Sequence, residues 1–246
     1  MKEAAQAMSI GEKITEAISI KTLFTIKLGS LSIPISDTVV TTWAVMFLLV
    51  AVAFFSTRKL VEKPKGFQLA LESFVGLINN LAKENMGHHW KTFAPFIGTI
   101  GLFLGVANVL PFFSPVAGFG FEPPFPIKPP TRDINVTSAF AVVTILTVLF
   151  SGIIVKKPWG WVKGLAKPSP IMFPFNILEY FIRPLSLSLR LFGNILGAYI
   201  VMQLLEIVSP VLLPPIFGLY FDFFDGLIQA VVFTYLTTIF IAEAIE

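Results

Sequence analysis

Residues 174–205 read PFNILEYFIRPLSLSLRLFGNILGAYIVMQLL, and this stretch decides the fold. It predicts a single helix, about 45–50 Å long at a rise of about 1.5 Å per residue. The hydrocarbon core of a bilayer is only about 30 Å thick, so such a helix must tilt steeply or run partly along the membrane plane. Residues 211–243 predict a second helix of similar length after a short break that contains proline. The two helices together predict an antiparallel hairpin of long, tilted helices.

The whole composition is that of an α-helical membrane protein. Of the 246 residues, 55% are hydrophobic and 13% are charged, whereas a soluble domain has about 25% charged residues. Further apolar runs predict spanning helices at 38–55, 93–112 and 136–155. The predicted fold class is therefore all-α and polytopic, with about five spans in a single membrane domain at 38–246. A polar N-terminal segment, residues 1–37, precedes this domain.

Three connecting segments have patterns of their own. Apolar residues recur at helical spacing over 67–85, with charged and amide side chains between them, which predicts an amphipathic helix on the membrane surface. Residues 114–135 and 156–170 contain several prolines and predict loops. Asp37 is expected to be the N-cap of the first spanning helix.

The charges indicate an orientation and exclude several classes of protein. Lysine and arginine are concentrated after the first and third spans, so the positive-inside rule places the N-terminus outside and the C-terminus in the cytoplasm. The net charge of +3 is spread over loops and predicts no nucleic-acid partner. The chain lacks cysteine, and the adjacent side chains of His88 and His89 diverge too far to make a good metal pair. No phosphate loop or nucleophile–base set is present, so neither a catalytic site of its own nor a cofactor is expected.

Polar residues follow one face of each long helix. Steps of three, four or seven residues, which keep side chains on one helical face, connect Glu179, Arg183, Ser186, Arg190, Asn194 and Gly197. Asp222, Asp225 and Gln229 share a face of the second helix in the same way. Ionisable groups inside a bilayer are costly and usually face a partner or a water-filled cavity. Two such stripes on adjacent helices therefore predict an ion path.

Simpler structural roles are the alternatives for most of these residues. Glu179 and Arg183 have the spacing of an i,i+4 ion pair. The alternative for Ser186 is a hydrogen bond back to its own helix. The alternative for Asp222 is a position among the lipid headgroups, and the alternative for Gln229 is a hydrogen bond between helices. Such a role does not suit Arg190, which lies in the middle of its helix with no acidic residue within one turn.

The sequence around Arg190 resembles a known family. PLSLSLRLFGNILG (184–197) is similar to the signature of subunit a of the F-type ATP synthase, the membrane stator beside the rotating ring. PPTRDINVT (129–137) and GLIQAVVFTYLTTIFIAEA (226–244) match the same family in the same order. The resemblance extends from about residue 38 to the C-terminus. The whole pattern is far more specific than an isolated RLFGN.

The resemblance implies a role for each polar residue. Arg190 would be the fixed stator charge that faces an acidic residue on each passing ring subunit, so its missing counter-charge would belong to another chain. Asn194 and Gln229 would flank Arg190, and Gln229 would meet it across the hairpin. Two half-channels would lead to this point. The outer one would be lined by Asp222, Asp133 and Asn135, and the inner one by Glu179 and Ser186.

Tyr199 departs from the family pattern. Many members carry Glu or His at this position, paired with His or Glu where this chain has Asp222. A tyrosine has a pKa of about 10 and relays protons poorly near neutral pH. Tyr199 is therefore expected to hydrogen-bond beside Asp222, and Asp222 to titrate. Protons are the expected ion, and a sodium-translocating variant is left open.

The resemblance also implies partners and a location. The expected partners are the c-ring, the peripheral stalk (subunit b) and the lipid bilayer, in a bacterial plasma membrane or alternatively a thylakoid membrane. A different function would be a secondary transporter that binds an anionic substrate at Arg190. That function predicts an internal repeat with interrupted helices, which the sequence does not show. A structural subunit without conduction would leave Arg190 without a purpose.

Overall fold

The computed structural model describes residues 19–20, 22–28, 31–58, 60–113, 128–165, 169, 171–209 and 213–246. Within these ranges, a β-hairpin is followed by seven α-helices: β1 Thr22–Leu28, β2 Leu31–Ser36, α1 Asp37–Thr57, α2 Phe67–Met86, α3 Trp90–Val109, α4 Ile134–Leu165, α5 Met172–Val208, α6 Leu213–Gly218 and α7 Gly226–Ile245. Among the described residues, five helical stretches are long and apolar enough to cross a membrane: Asp37–Thr57, Phe67–Val109, Ile134–Leu165, Met172–Leu205 and Ile216–Ile245. The predicted fold class is confirmed.

The polar N-terminal segment contains the hairpin, which was not predicted from the sequence. β1 and β2 pair antiparallel, with Ile26 opposite Ile33. The prediction that Asp37 is the N-cap of the first span is wrong. Ser36 is the N-cap, and its side chain accepts a hydrogen bond from the backbone N–H of Val39. Asp37 instead forms an ion pair described below. Residues 1–18 lie outside the described part of the chain.

The amphipathic helix predicted at 67–85 is α2, and its apolar face packs on the chain's own core. Ile78, Ala82 and Met86 are buried in a cluster that includes Ile97 of α3 and Ile241 of α7. The position of α2 on the membrane surface stays a prediction.

Both predicted loops contain helical structure. The predicted third span at 136–155 lies within α4, but helical residues continue to Leu165 after a break at Lys157, where φ is 61° and ψ is 153°. Pro158 explains the break, because proline disfavours the α conformation at the preceding residue and lacks an N–H donor. In the other loop, Pro130–Arg132 form a 3-10 turn directly before α4. Residues 114–127 of that loop lie outside the described part.

The two long helices predicted at 174–205 and 211–243 are present, but the second is not regular. Leu219–Asp225 form a π-helical turn between α6 and α7. α5 packs mainly against α4, and α7 packs mainly against α3. The two helices meet in a core cluster where Leu191 of α5 and Phe233 of α7 are almost fully buried.

Candidate functional site

The polar stripe of α5 faces away from the core of the chain. Glu179, Ser186, Arg190, Asn194 and Gly197 are all exposed. The adjacent face of the helix, about 100° around its axis, carries the buried apolar residues Leu187, Leu191, Ile195 and Ala198. The predicted face therefore exists, and it is available to another molecule.

Arg190 is exposed, and it forms no hydrogen bond or ion pair with any residue that the structure describes. Its neighbour Leu191 is 1% exposed and fixes the rotation of α5. The packing of the adjacent face thus leaves the side chain of Arg190 at the surface of the described part of the chain.

The residues expected around Arg190 occupy different environments. Asn194 lies one turn further along the exposed face of α5. Gln229 is buried, at 8% exposure, on α7. Within the described residues, no hydrogen bond joins Gln229 to Arg190. Asp222 lies in the π-helical turn, and its side chain is outside the described part of the chain. Asp225 closes the same turn and is half-buried.

One end of the α5 stripe is a cluster of charges. Arg183 Nη2 contacts Glu179 Oε2 at 2.5 Å, which is the i,i+4 pair that the spacing indicates. Arg183 Nη1 also forms an ion pair with Glu243 of α7. All three side chains line a cavity of about 180 Å³ together with Lys156, Tyr180 and other residues of α4, α5 and α7. Glu243 was not singled out from the sequence, although an acidic residue in the last turn of an apolar helix is a usable signal.

The cavity is walled on one side by the helical turn that follows Lys157. The side chain of Trp161 lies against Gly152, where a Cβ atom would come within 2.8 Å of the Trp161 ring. Asn176 Nδ2 donates to the carbonyl of Leu165 at 2.8 Å. Because these contacts join residues 9 and 11 positions apart, the chain must fold back on itself after Lys157.

Asp133 and Asn135 lie together at the start of α4. Asp133 is 2% exposed, and its Oδ2 accepts a hydrogen bond from Thr38 Oγ1 at 2.7 Å. Its Oδ1 accepts from the backbone N–H of Asn135 at 2.9 Å and from Asn135 Nδ2 at 3.0 Å. Asn135 itself is exposed. Asp133 thus caps α4 and holds the amide of Asn135 at the surface.

Arg132 connects this turn to the predicted site residue Tyr199. Arg132 Nη2 forms an ion pair with Asp37 Oδ2 at 2.9 Å, and its side chain is 1% exposed. Its guanidinium carbon lies 5.1 Å from the centre of the Tyr199 ring. Arg132 and Asp37 are 95 positions apart, so no local pattern in the sequence indicates that they meet.

Asn108 is a second polar residue that was not singled out from the sequence. It is 2% exposed in α3. Its Oδ1 accepts from Thr131 Oγ1 at 2.6 Å, and its Nδ2 donates to the carbonyl of Gly226 at 3.3 Å. An amide within the apolar run 93–112 is the signal that could have identified it, since polar groups at membrane depth need partners.

Comparison with known proteins gives consistent matches. The family described as ATP synthase A chain matches residues 39–242. ATP synthase subunit a of Moorella thermoacetica is 40% identical over 215 residues, which cover 87% of this chain and 93% of the relative. ATP synthase subunit a of Gloeobacter violaceus is 37% identical over 246 residues, which cover 99% and 97%. A protein of Propionigenium modestum named "ATP synthase subunit a, sodium ion specific" is 36% identical over 222 residues, which cover 88% and 76%.

Proposed function

Because the chain belongs to the family of ATP synthase subunit a, we propose that it provides two offset half-channels and a fixed charge, Arg190, against a rotating c-ring. Ion flow through these half-channels would drive the rotation that supports ATP synthesis. The family match disfavours the alternative of a secondary transporter. The proposed partners are the c-ring, subunit b and the bilayer.

The observation that carries this proposal is that Arg190 is exposed and has no partner among the residues that the structure describes. Arginine is effectively never deprotonated in a protein, so it is a poor proton carrier but a dependable fixed charge. An ionic group without a partner is costly at membrane depth. A carboxylate on an adjacent ring subunit would remove this cost, and the exposed face of α5 is where that subunit would pass.

The fixed charge accounts for release of the ion. An opposite charge within about 4–6 Å favours the ionised form of a carboxyl group. A ring carboxyl that arrives beside Arg190 would therefore lose its bound ion. The same positive charge would repel free cations and keep the two half-channels separate. Each elementary charge that crosses a potential of 100 mV supplies about 2.3 kcal/mol.

The remaining site residues divide between the two half-channels. On the inner side we assign Glu179 and Ser186, both on the exposed face of α5. On the outer side we assign Asn135, which Asp133 holds in place, with Tyr199 and Asp222. Asn194 and Gln229 flank the central charge. In this assignment the N-terminus lies outside, and the C-terminus lies in the cytoplasm of a bacterium, with a thylakoid membrane as the alternative location.

The proposed ion is the proton, and sodium is the alternative. The relative from Propionigenium modestum bears a sodium-specific name, and this chain has Tyr199 where many family members carry an ionisable residue. Both facts make sodium dependence the first property to measure.

The test is ATP-driven ion uptake by inverted vesicles that carry the whole complex. Arg190→Ala is expected to abolish uptake while the complex still assembles, because the ring carboxyl then keeps its ion. Arg58→Ala is the control, since Arg58 is an exposed arginine at the end of α1, far along the chain from the polar stripe. It should pump normally. Normal pumping by assembled Arg190→Ala would show that the proposal is wrong. Uptake with and without sodium identifies the ion.

A further inference from the structure

We propose that Arg132 is a positioning residue that sets how readily an ion enters the outer half-channel, acting through Tyr199. This inference rests on the proposed function. Arg132 belongs to three consecutive polar residues, Thr131, Arg132 and Asp133, which we call the outer hub. All three are at most 4% exposed. Three consecutive buried polar residues are unusual, because such side chains are mostly exposed unless each has a partner.

Each residue of the outer hub contacts different helices. Asp133 accepts a hydrogen bond from Thr38 of α1 and caps α4 through Asn135. Both carboxylate oxygens are therefore occupied. Neither the turn nor the start of α4 can shift without breaking a buried hydrogen bond, which is costly when a partner is left unsatisfied.

Thr131 extends the outer hub to α3 and α7. Its hydroxyl donates to Asn108, and the amide of Asn108 donates to the carbonyl of Gly226. Gly226 directly follows the π-helical turn that contains Asp222. The backbone position from which Asp222 projects is thus tied to the same turn as Arg132.

Arg132 connects the outer hub to α5. Its ion pair with Asp37 neutralises the charge, and the guanidinium carbon lies 5.1 Å from the centre of the Tyr199 ring. A planar guanidinium can stack on an aromatic ring while it binds a carboxylate, whereas the compact ammonium of lysine is a poorer match for both. A cation within about 6 Å of a ring centre is attracted to it. Arg132 therefore holds the ring of Tyr199 in one place.

The charged groups around Tyr199 balance among the described residues. Lys128 Nζ lies 6.0 Å from the same ring centre. Lys128 and Arg132 bring two positive charges. Asp133, a member of the outer hub, and Asp37, which pairs with Arg132, bring two negative charges. Loss of Arg132 would remove one of the contacts that position Tyr199 and would leave a net negative charge among these four residues. Both changes would alter the apparent affinity for an incoming cation.

The experiment is ATP synthesis by the whole complex in proteoliposomes, driven by an imposed ion gradient. The concentration of the ion on the outer side is varied, and the half-saturating concentration and the maximal rate are measured per assembled complex. We expect Arg132→Leu to change the half-saturating concentration about tenfold, equivalent to about 1.4 kcal/mol, and to retain most of the maximal rate. Arg132→Lys, which keeps the charge, should change it less.

A double-mutant cycle separates positioning of Tyr199 from a general structural effect. If Arg132 acts through the ring, Arg132→Lys should have little further effect in a Tyr199→Leu background, because coupled residues are non-additive. Additive effects, or an unchanged half-saturating concentration for Arg132→Leu, would overturn the inference. Arg190→Ala is measured in parallel. If it abolishes synthesis while the Arg132 variants match wild type, only the inference fails. If Arg190→Ala is fully active, the proposed function itself fails.

Discussion

Replacing Gly226 by alanine is expected to destabilise the protein, although alanine is the better helix former. A Cβ atom at this position would lie 3.0 Å from the carbonyl oxygen of Asn108, 3.1 Å from its Cβ and 3.2 Å from its carbonyl carbon. Two of these atoms belong to the backbone of α3 and cannot rotate away. Because the contacts are tighter than normal, α3 and α7 would have to separate by a few tenths of an ångström.

The size of the loss in stability follows from two destabilising contributions and one stabilising contribution. Overpacking of a well-packed interior costs about 1–3 kcal/mol. Separation of the helices would also weaken the hydrogen bond from Asn108 to the carbonyl of Gly226, worth about 0.5–1.5 kcal/mol. The helix propensity of alanine returns about 1 kcal/mol. The net expected loss is roughly 1–3 kcal/mol.

Gly105→Ala is the matched control. Gly105 lies in α3, one turn before Asn108, and a Cβ atom there would meet no described atom within 4 Å. It should gain up to about 1 kcal/mol. The two variants should therefore differ by about 3 kcal/mol, which for a chain of this size corresponds to roughly 6–12 °C in melting temperature. Thermal unfolding of the purified protein in the same detergent measures this difference. Melting temperatures that agree within about 2 °C, less than 1 kcal/mol, would refute the argument from close approach.

Three further predictions concern single side chains. Asp37→Asn should lower the free energy of unfolding by about 3 kcal/mol, because it removes the carboxylate that forms an ion pair with the buried Arg132. Thermal unfolding measures this loss. Glu243→Gln should change the free energy of unfolding by less than about 1 kcal/mol, since Glu243, which pairs with Arg183, is about half exposed. Thermal unfolding with added salt should then show little difference between this variant and wild type. Gly197→Ile should have little effect on the melting temperature of the isolated chain, because Gly197 is exposed and a Cβ atom there meets no described atom within 4 Å. If the ring passes this face, however, ATP-driven uptake by the whole complex should fall at least tenfold, or about 1.4 kcal/mol.

Helices that depend on long apolar runs were predictable, and features that depend on single residues were not. Composition and periodicity suffice to predict α1, α2 and α5, since the length and the apolar face of each helix follow from a continuous run of residues. The break at Lys157 depends on the one proline that follows it, and the helical turn beyond depends on Trp161 fitting against Gly152. A pattern of hydrophobicity contains no information about that fit.

The candidate site divides in the same way. The exposed stripe around Arg190 was predictable because residues three, four and seven apart must share a helical face. The partners of Arg132 and Asn108 were not, because each contact joins residues that are far apart in the sequence. Resemblance to a family indicates which residues matter, but the hydrogen bonds of Asp133 show how one of them can act by holding a neighbour.

Three arginines of this chain differ in the way their charge is compensated. Arg132 is buried and paired with Asp37. Arg183 is one-third exposed and paired with both Glu179 and Glu243. Arg190 lies only two turns from Arg183 on the same helix, yet it has no acidic partner among the described residues. Arg58, the fourth arginine, is exposed at the end of α1, whereas Arg190 lies in the middle of α5. Because an uncompensated charge at membrane depth is costly, the lack of a described acidic partner at Arg190 supports the proposal that its compensating charge comes from another subunit.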